Sequence, residues 1–506
     1  MIISIYYTNN PRASSTGLLL QTSGLKVTMI KIDPYLNVDA GTMAPTEHGE
    51  VFVLSDGSEV DLDLGNYERY LGITLNRDNN ITTGKVYKYV IERERRGDYL
   101  GRTVQVVPHL TNAVQEWIER VARAPVDETK QEPDICVIEL GGTVGDIESA
   151  PFVESLRQLR RQAGKDNFLH IHVSLIPVIN GEQKTKPTQQ AIRDIRSMGL
   201  QPDLIACRCT GPLEISTINK VAMFCQVEPE QVVSVHDVPS TYRVPVVLEQ
   251  QGLVSSLYNI LRLDSLKIPV EMVEKGRRTW DAWKVLTLPQ PGMMEKVNIV
   301  LVGKYTSFLD SYLSVVKSLE HSAMACHRKL ELTLVDSSHL EEETRTSNPQ
   351  DYEKAWQVVR AAAGILVPGG FGHRGSEGMI AAANWARTKR IPYLGICLAS
   401  SMEFEEGTSE PVIIFMPEID RVSLGGTMRL GARHTVFQPG SEWSKLRALY
   451  GSSASPDLTI SERHRHRYEV NPSYVETLTS HGLDFIGKDE TGERMEILEL
   501  KDHPWF

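Results

Sequence analysis

The chain has 506 residues, 41% of them hydrophobic and 24% charged, and a formal net charge of −11. That length suits two large α/β cores rather than one typical domain. The acidic balance disfavours a nucleic-acid partner but not a nucleotide, which needs only a few local cations. No apolar run reaches membrane length, and Met1-Ile2-Ile3-Ser4-Ile5 carries no basic residues, so no membrane partner is expected. Six cysteines without a C-x-x-C pair suit the reducing cytoplasm. Cys207 and Cys209 lack further ligands at zinc spacing and read as neighbours on one strand face.

In chain order, strands are expected at Lys26–Ile32, Ile135–Leu140, His170–Ile176, Leu204–Arg208 and Val232–His236, with helices at Ala113–Ala124, Pro151–Gln162 and Pro187–Met198. Pro187 falls in the first turn of the last helix, where proline fits. Pro289, Pro291 and Gly292 punctuate a break at 287–297. A strand at Asn298–Gly303 and a helix carrying Tyr312, Val315, Val316 and Leu319 then begin a second α/β unit. The alternation favours parallel sheets, in a first domain over 1–286 and a second over 298–506.

Three segments of the first half carry possible chemistry. Glu139-Leu140-Gly141-Gly142-Thr143-Val144-Gly145-Asp146-Ile147-Glu148 follows a strand and precedes a helix. It is either a ligand-binding loop at a strand's carboxyl end or a Gly-rich acidic turn. Asp61-Leu62-Asp63-Leu64-Gly65 puts two carboxylates on one side of an extended segment, as a hard cation would need or as an ordinary acidic loop would show. Lys184-Thr185-Lys186-Pro187-Thr188-Gln189 places two cations at a helix start, which is either an anion site or a solvated helix entry.

Together with Lys31-Ile32-Asp33-Pro34-Tyr35-Leu36-Asn37, Glu47-His48-Gly49-Glu50-Val51-Phe52, Arg96-Gly97-Asp98-Tyr99-Leu100-Gly101 and His236-Asp237-Val238, these segments occur in the order found in the CTP synthase family, which the chain resembles over residues 13–506. The resemblance implies a P-loop-like amidoligase domain that uses ATP and Mg2+ to aminate UTP to CTP. It implies that Lys31 contacts ATP phosphates and the transferring group, and that Asp63 and Glu139 hold Mg2+. Asp146, Ile147, Glu148, Lys184, Thr185, Lys186, Pro187, Thr188, Gln189 and Lys220 would line the UTP site, which CTP shares as inhibitor. His236, Asp237 and Val238 would lie near adenine. A homotetramer and activation by GTP are further implications.

In the second half, Tyr393-Leu394-Gly395-Ile396-Cys397-Leu398-Ala399 reads as a strand ending in a nucleophile elbow, although a lone cysteine after a strand is more often a core thiol. Val367-Pro368-Gly369-Gly370-Phe371-Gly372 upstream is a turn able to expose backbone N–H groups as an oxyanion hole. With Gly425 to Gly431 and Glu462 to Val470, the pattern resembles a flavodoxin-like class I glutamine amidotransferase. That resemblance implies Cys397 as nucleophile and Gly370, Glu403 and Arg467 as glutamine-binding residues.

Three departures from the family pattern qualify the expectation. Ala13-Ser14-Ser15-Thr16-Gly17-Leu18 matches the helix after the family's phosphate loop, but residues 1–12 contain neither the glycines nor the lysine of that loop. A helix-sized piece is missing after Leu398, where Ala399-Ser400-Ser401-Met402-Glu403-Phe404 follows directly. The family's late His-Pro-Glu, which supplies the general base, has no counterpart before Phe506, and His503-Pro504 aligns with an earlier His-Pro. Low ATP turnover and failure of glutamine hydrolysis are expected from these losses. A non-catalytic nucleotide-binding homologue is the alternative.

Overall fold

The computed structural model describes residues 1–6, 12–143, 145–288, 295–397, 411–417, 428–451 and 458–504. Two compact units emerge, one of residues 1–40 and 60–289, the other of residues 41–59 and 290–506. The units therefore do not follow the contiguous boundary expected at 286, because 41–59 belongs with the later residues. That segment is held by hydrogen bonds from Glu50 N to Asp310 O (2.8 Å), from Ala432 N to Ser55 O (2.9 Å) and from Ser311 Oγ to Pro45 O (2.8 Å), and by an Arg465–Glu59 ion pair at 2.7 Å.

The first unit is a seven-stranded, all-parallel sheet. Its parts are β1 (Ile2–Tyr6), α1 (Arg12–Thr22), β2 (Val27–Asp33), α2 (Leu62–Leu71), β3 (Asn80–Thr82), α3 (Thr111–Ala122), β4 (Ile135–Leu140), α4 (Ala150–Ala163), β5 (Phe168–Leu175), α5 (Lys186–Ser197), β6 (Leu204–Cys209), α6 (Ile215–Cys225), β7 (Val232–His236) and α7 (Val244–Gln250). Strand order is β7-β6-β5-β1-β4-β2-β3. Apolar residues of α3 and α4, such as Ile118 and Leu156, cover the face that carries Ile30, Ile138 and Cys207. Thr16 of α1 and Leu248 of α7 meet Ile5, Ile171 and Val233 on the other face. A parallel sheet covered on both faces needs strands that are apolar throughout, and β1, β2 and β4 are buried at every position.

β1 was not among the expected strands. Residues 2–6 pair with β4 on one side and β5 on the other, so the N-terminal run fills the middle of the sheet. The segment matches no family sequence, yet its apolar, β-branched character is what a doubly covered central strand requires. Residues 7–11, where a phosphate loop would follow, lie outside the described residues.

The face that carries Ile30 and Ile138 also buries two imidazoles. On β5, both ring nitrogens of His172 lack a hydrogen-bond partner among the described residues, and His170 has only a backbone contact with Ser4. Burial pushes the His172 pKa down to about 4; burial, then the charges of His172 and Arg160, takes His170 well below its usual value. Both rings are thus neutral in the folded chain and bind protons more readily once unfolded. Stability is fully present above the unfolded value of 6.5 and is lost as pH falls toward the folded values. For His172 alone the loss between pH 7 and pH 4 is about 3 kcal/mol, at ~1.4 kcal/mol per pKa unit. Denaturant unfolding of His170→Leu/His172→Leu is expected to show a flatter pH dependence than the parent chain across that window; parallel curves would disprove the linkage.

The second unit has a four-stranded parallel sheet in the order β9-β8-β10-β11, formed by β8 (Lys296–Gly303), β9 (Lys329–Asp336), β10 (Gly364–Val367) and β11 (Tyr393–Gly395). This is the 2-1-3-4 progression of a flavodoxin-like sheet. Helices α9 (Pro349–Arg360) and α10 (Ser376–Lys389) pack on one face through Trp356, Val359 and Ala382. α8 (Leu313–Ala325) packs on the other, with Val315 and Leu319 against Leu301 and Leu366. Beyond residue 428 the strand–helix alternation does not continue. Four strands there, β12 (Arg429–Phe437), β13 (Thr459–His466), β14 (Asp484–Asp489) and β15 (Met495–Glu499), form an antiparallel sheet in the order β13-β12-β14-β15.

Candidate functional site

In an open parallel sheet, ligands bind outside the carboxyl ends of the strands. The pairs Tyr6–Leu140, Tyr6–His172 and Ile32–Leu140 place the ends of β1, β5, β4 and β2 level with one another. The candidate residues of the first unit line this edge.

Lys31 is its electrostatic centre. The side chain is buried at the end of β2, and its ammonium lies 3.4 Å from Asp33, 3.6 Å from Asp61 and in contact with Asp63. The expected extended segment at 61–65 holds only at Asp61, which ends a short strand, Glu59–Asp61, and the helix α2 starts at Leu62. Asp61 is the N-cap of α2 and accepts a hydrogen bond from Asp63 N at 2.9 Å. The cap exposes one carboxylate and the first helical turn carries the other, so both still face Lys31. Glu139 on β4 completes the cluster and accepts a 2.5 Å hydrogen bond from Tyr67. Asp33 accepts one from Asn80 at 2.8 Å.

Burial alone would lower the Lys31 pKa, but the charges of Asp33, Asp61, Asp63 and Glu139 outweigh it and hold the ammonium firmly protonated. Burial pushes Asp33 up to about 6 and Asp63 well above the usual range, with Lys31 opposing both shifts. Four carboxylates around one ammonium leave an excess of buried negative charge that a further cation would relieve. The donors are all hard oxygens, which suits Mg2+.

The Gly-rich loop after β4 is anchored from β1. Tyr6 Oη donates to Ser149 Oγ at 3.0 Å and to Thr143 O at 3.2 Å. Thr143 N donates to Asp146 at 3.2 Å, while Asp146, Ile147 and Glu148 remain exposed. Val144 lies outside the described residues.

The 184–189 segment divides in two. Thr185 and Thr188 are buried, with Thr188 bonded to Ser174 of β5 at 2.9 Å and Thr185 Oγ1 accepting from Gln189 at 3.0 Å. These hydroxyls fasten the start of α5. Lys186 and Pro187 are exposed at that start, and Lys184 pairs with Glu182. Lys220, exposed on α6, also acts on Glu182 electrostatically, less than Lys184 does. His236 ends β7, the exposed Asp237 pairs with Arg208, and Val238 is half-buried.

In the second unit, Cys397 has a backbone φ of 66°. A left-handed conformation at a non-glycine residue directly after a parallel strand is the strain of a nucleophile elbow, and the residue is exposed. Gly369 lies against it: a Cβ there would stand 2.8 Å from Cys397 Cβ and 3.4 Å from its Sγ. The 369–372 turn is braced by residues that the sequence reading missed. Tyr305 Oη accepts from Phe371 N at 3.0 Å, and Lys304 Nζ donates to Gly372 O and Ser376 Oγ. Their only sequence signal is their place directly after β8. Lys304 packs beside Gly370, and the Arg467 guanidinium lies over Phe371, 5.3 Å from the ring centre. Cys397, Gly370 and Arg467 therefore border one turn. Glu403 and residues 425–427 lie outside the described residues. His503 is buried, with Nε2 at 3.2 Å from Ala386 O.

The family profile for the CTP synthase N-terminus matches residues 11–263, and that for class-I glutamine amidotransferase matches residues 307–506. The CTP synthase of Schizosaccharomyces pombe is 61% identical over 98% of this chain and 84% of that protein. The chain belongs to the CTP synthase family. Another CTP synthase, from Neurospora crassa, is 62% identical over 98% of this chain and 87% of its own length. A solved glutaminase domain of a Trypanosoma brucei CTPS, with bound acivicin, is 33% identical, covers 42% of this chain and 83% of its own, and has a TM-score of 0.36. CTP synthase is a glutamine-dependent ligase, and its amidoligase and amidotransferase profiles fall on the earlier and later parts of the chain. Among the described residues no helix is long and apolar enough to cross a membrane.

Proposed function

We propose that the chain aminates UTP to CTP at the expense of ATP, taking nitrogen from ammonia or glutamine. The observation that carries this reading is the buried Lys31 ammonium within four carboxylates at the strand ends, beside a Gly-rich loop and a cationic helix start. Phosphorylation of the uracil O4 makes a leaving group, and ammonia then adds at the ring carbon and expels phosphate. Lys31 neutralises the transferring phosphoryl group, and positioning with charge neutralisation supplies most of the acceleration. Asp63 and Glu139 would hold Mg2+, which when bound offsets negative charge on the nucleotide phosphates.

Lys184, Lys186 and Lys220 bind the UTP triphosphate, with CTP competing for the same cations. Asp146 to Glu148 face the same nucleotide, and His236 to Val238 lie near adenine. At the elbow, Cys397 attacks the glutamine amide while Gly370, Glu403 and Arg467 hold the substrate. GTP activation, a homotetramer and a cytoplasmic location complete the reading.

The direct test uses UTP, ATP, Mg2+ and ammonium salt, which bypasses the elbow. Slow but measurable CTP formation is expected, because β1 restores the central strand although residues 1–12 contain no glycine or lysine. No CTP above a control without enzyme would refute the proposal. For the nucleotide site, Lys186→Ala is expected to weaken CTP binding about tenfold by calorimetry, through loss of a charge-assisted contact to phosphate. Unchanged affinity would remove Lys186 from the site.

A further inference from the structure

The Arg/His run of β13 carries chemistry that the amidotransferase reading does not use. Residues two apart on a strand point to the same side, so His464 and His466 share one face while Arg463 and Arg465 take the other. The arginines are spent on packing, Arg463 over Phe52 and Arg465 over Phe371. The histidines turn toward Glu496 of β15. β13 and β15 are the two edges of the four-stranded sheet, so the sheet curls until its edges meet at this cluster.

The geometry points to a site for a transition-metal dication of the Zn2+ class, held by His464, His466 and Glu496. One ligand atom from each residue lies within 4.8 Å of the other two. His464 Nδ1 stands 3.0 Å from His466 Nε2 and 3.5 Å from Glu496 Oε2. Tetrahedral coordination with bonds of 2.0–2.1 Å places ligand atoms about 3.3 Å apart, so the observed spacings bracket what an ion would need.

The outer contacts prepare the same atoms. His466 Nδ1 lies 2.8 Å from Tyr468 O. A carbonyl can only accept, so Nδ1 carries the proton and Nε2 is left as a lone pair facing the cluster, the arrangement in which an imidazole ligates a metal. Coordination by His464 Nδ1 requires only that its proton sit on Nε2. Arg429 pairs with Glu496 Oε1 and leaves Oε2 toward the histidines. Glu496, Arg429 and His464 side chains are 6%, 8% and 13% exposed, which shields the cluster from water. Two imidazoles and one carboxylate leave a fourth position for water or a small ligand. The donor set selects Zn2+, Co2+ or Ni2+ over Mg2+, so it is chemically distinct from the all-oxygen cluster at Lys31.

The full chain is to be tested with Zn2+ and Co2+ salts in millimolar Mg2+. One equivalent of Zn2+ should survive gel filtration, and Co2+ should give the visible absorption of a four-coordinate nitrogen/oxygen site. His464→Asn/His466→Asn should abolish both signals. Glu496→Gln keeps the side-chain shape and can still accept from Arg429, and it should weaken binding at least tenfold while far-UV circular dichroism stays native. Absence of bound Zn2+ in the parent chain, or equal binding by a folded Glu496→Gln variant, would overturn the assignment.

Discussion

Lys31→Met is expected to lower ammonia-dependent CTP formation by about 10²–10³-fold, because the charge that meets the transferring phosphoryl group is lost. The same variant should unfold more easily by about 3–5 kcal/mol at neutral pH, the usual cost of leaving buried charges without a partner. Its pH dependence identifies the cause. Without the ammonium, Asp33 and Asp63 keep the upward push of burial and lose the opposing pull. A carboxylate whose folded pKa lies above its unfolded value contributes stability that is complete below the unfolded value and disappears as pH rises through the folded one. The variant should therefore be less stable at pH 8 than at pH 6, with the difference exceeding that of the parent chain. Lys31→Arg should recover part of the stability but little activity, since a planar guanidinium does not replace a point charge. Full activity in Lys31→Met would show that the cluster is only structural.

Cys397→Ala is expected to bring glutamine-dependent CTP formation to background, a loss of about 10³-fold or more wherever that activity is measurable, and to leave the ammonia-dependent rate unchanged. Gly369→Ala should share the phenotype, because its methyl group would stand 2.8 Å from Cys397 Cβ. A test that needs no turnover is thiol labelling. Cys136, Cys207, Cys209 and Cys225 are buried, whereas Cys326 and Cys397 are exposed. An electrophilic reagent should modify the last two, and glutamine should protect Cys397 alone. Equal protection of both, or of neither, would argue against a glutamine pocket at the elbow.

Much of this was legible in local sequence. Strands β4 and β7 coincide with the runs Ile135–Leu140 and Val232–His236, because a parallel strand reads as a near-continuous apolar run bounded by polar turns. An elbow was expected at Cys397 because the small residues Gly395 and Ala399 lie two positions to either side of it after a strand. β1 was missed because a five-residue run at a terminus, apolar but for Ser4, does not reveal which strands it joins. Of the two carboxylates read as extended, Asp61 does end a short strand, Glu59–Asp61, whereas Asp63 lies in the first turn of α2. Asp at an N-cap and Asp within a strand look alike until the cap bond from Asp63 N is seen.

The sequence by itself determined most of the parallel strands and their helices and the order of motifs that marks the family, since these depend on periodicity and on neighbours along the chain. Tertiary structure alone decided which distant groups meet. It brought Glu139 to Lys31, set Tyr6 beneath the Gly-rich loop, joined residues 41–59 to the later unit, and turned His464 and His466 toward Glu496. A period of two residues says which side of a strand a side chain takes. It cannot say which strand lies opposite, because that depends on sheet order and curl, which are set by long-range packing.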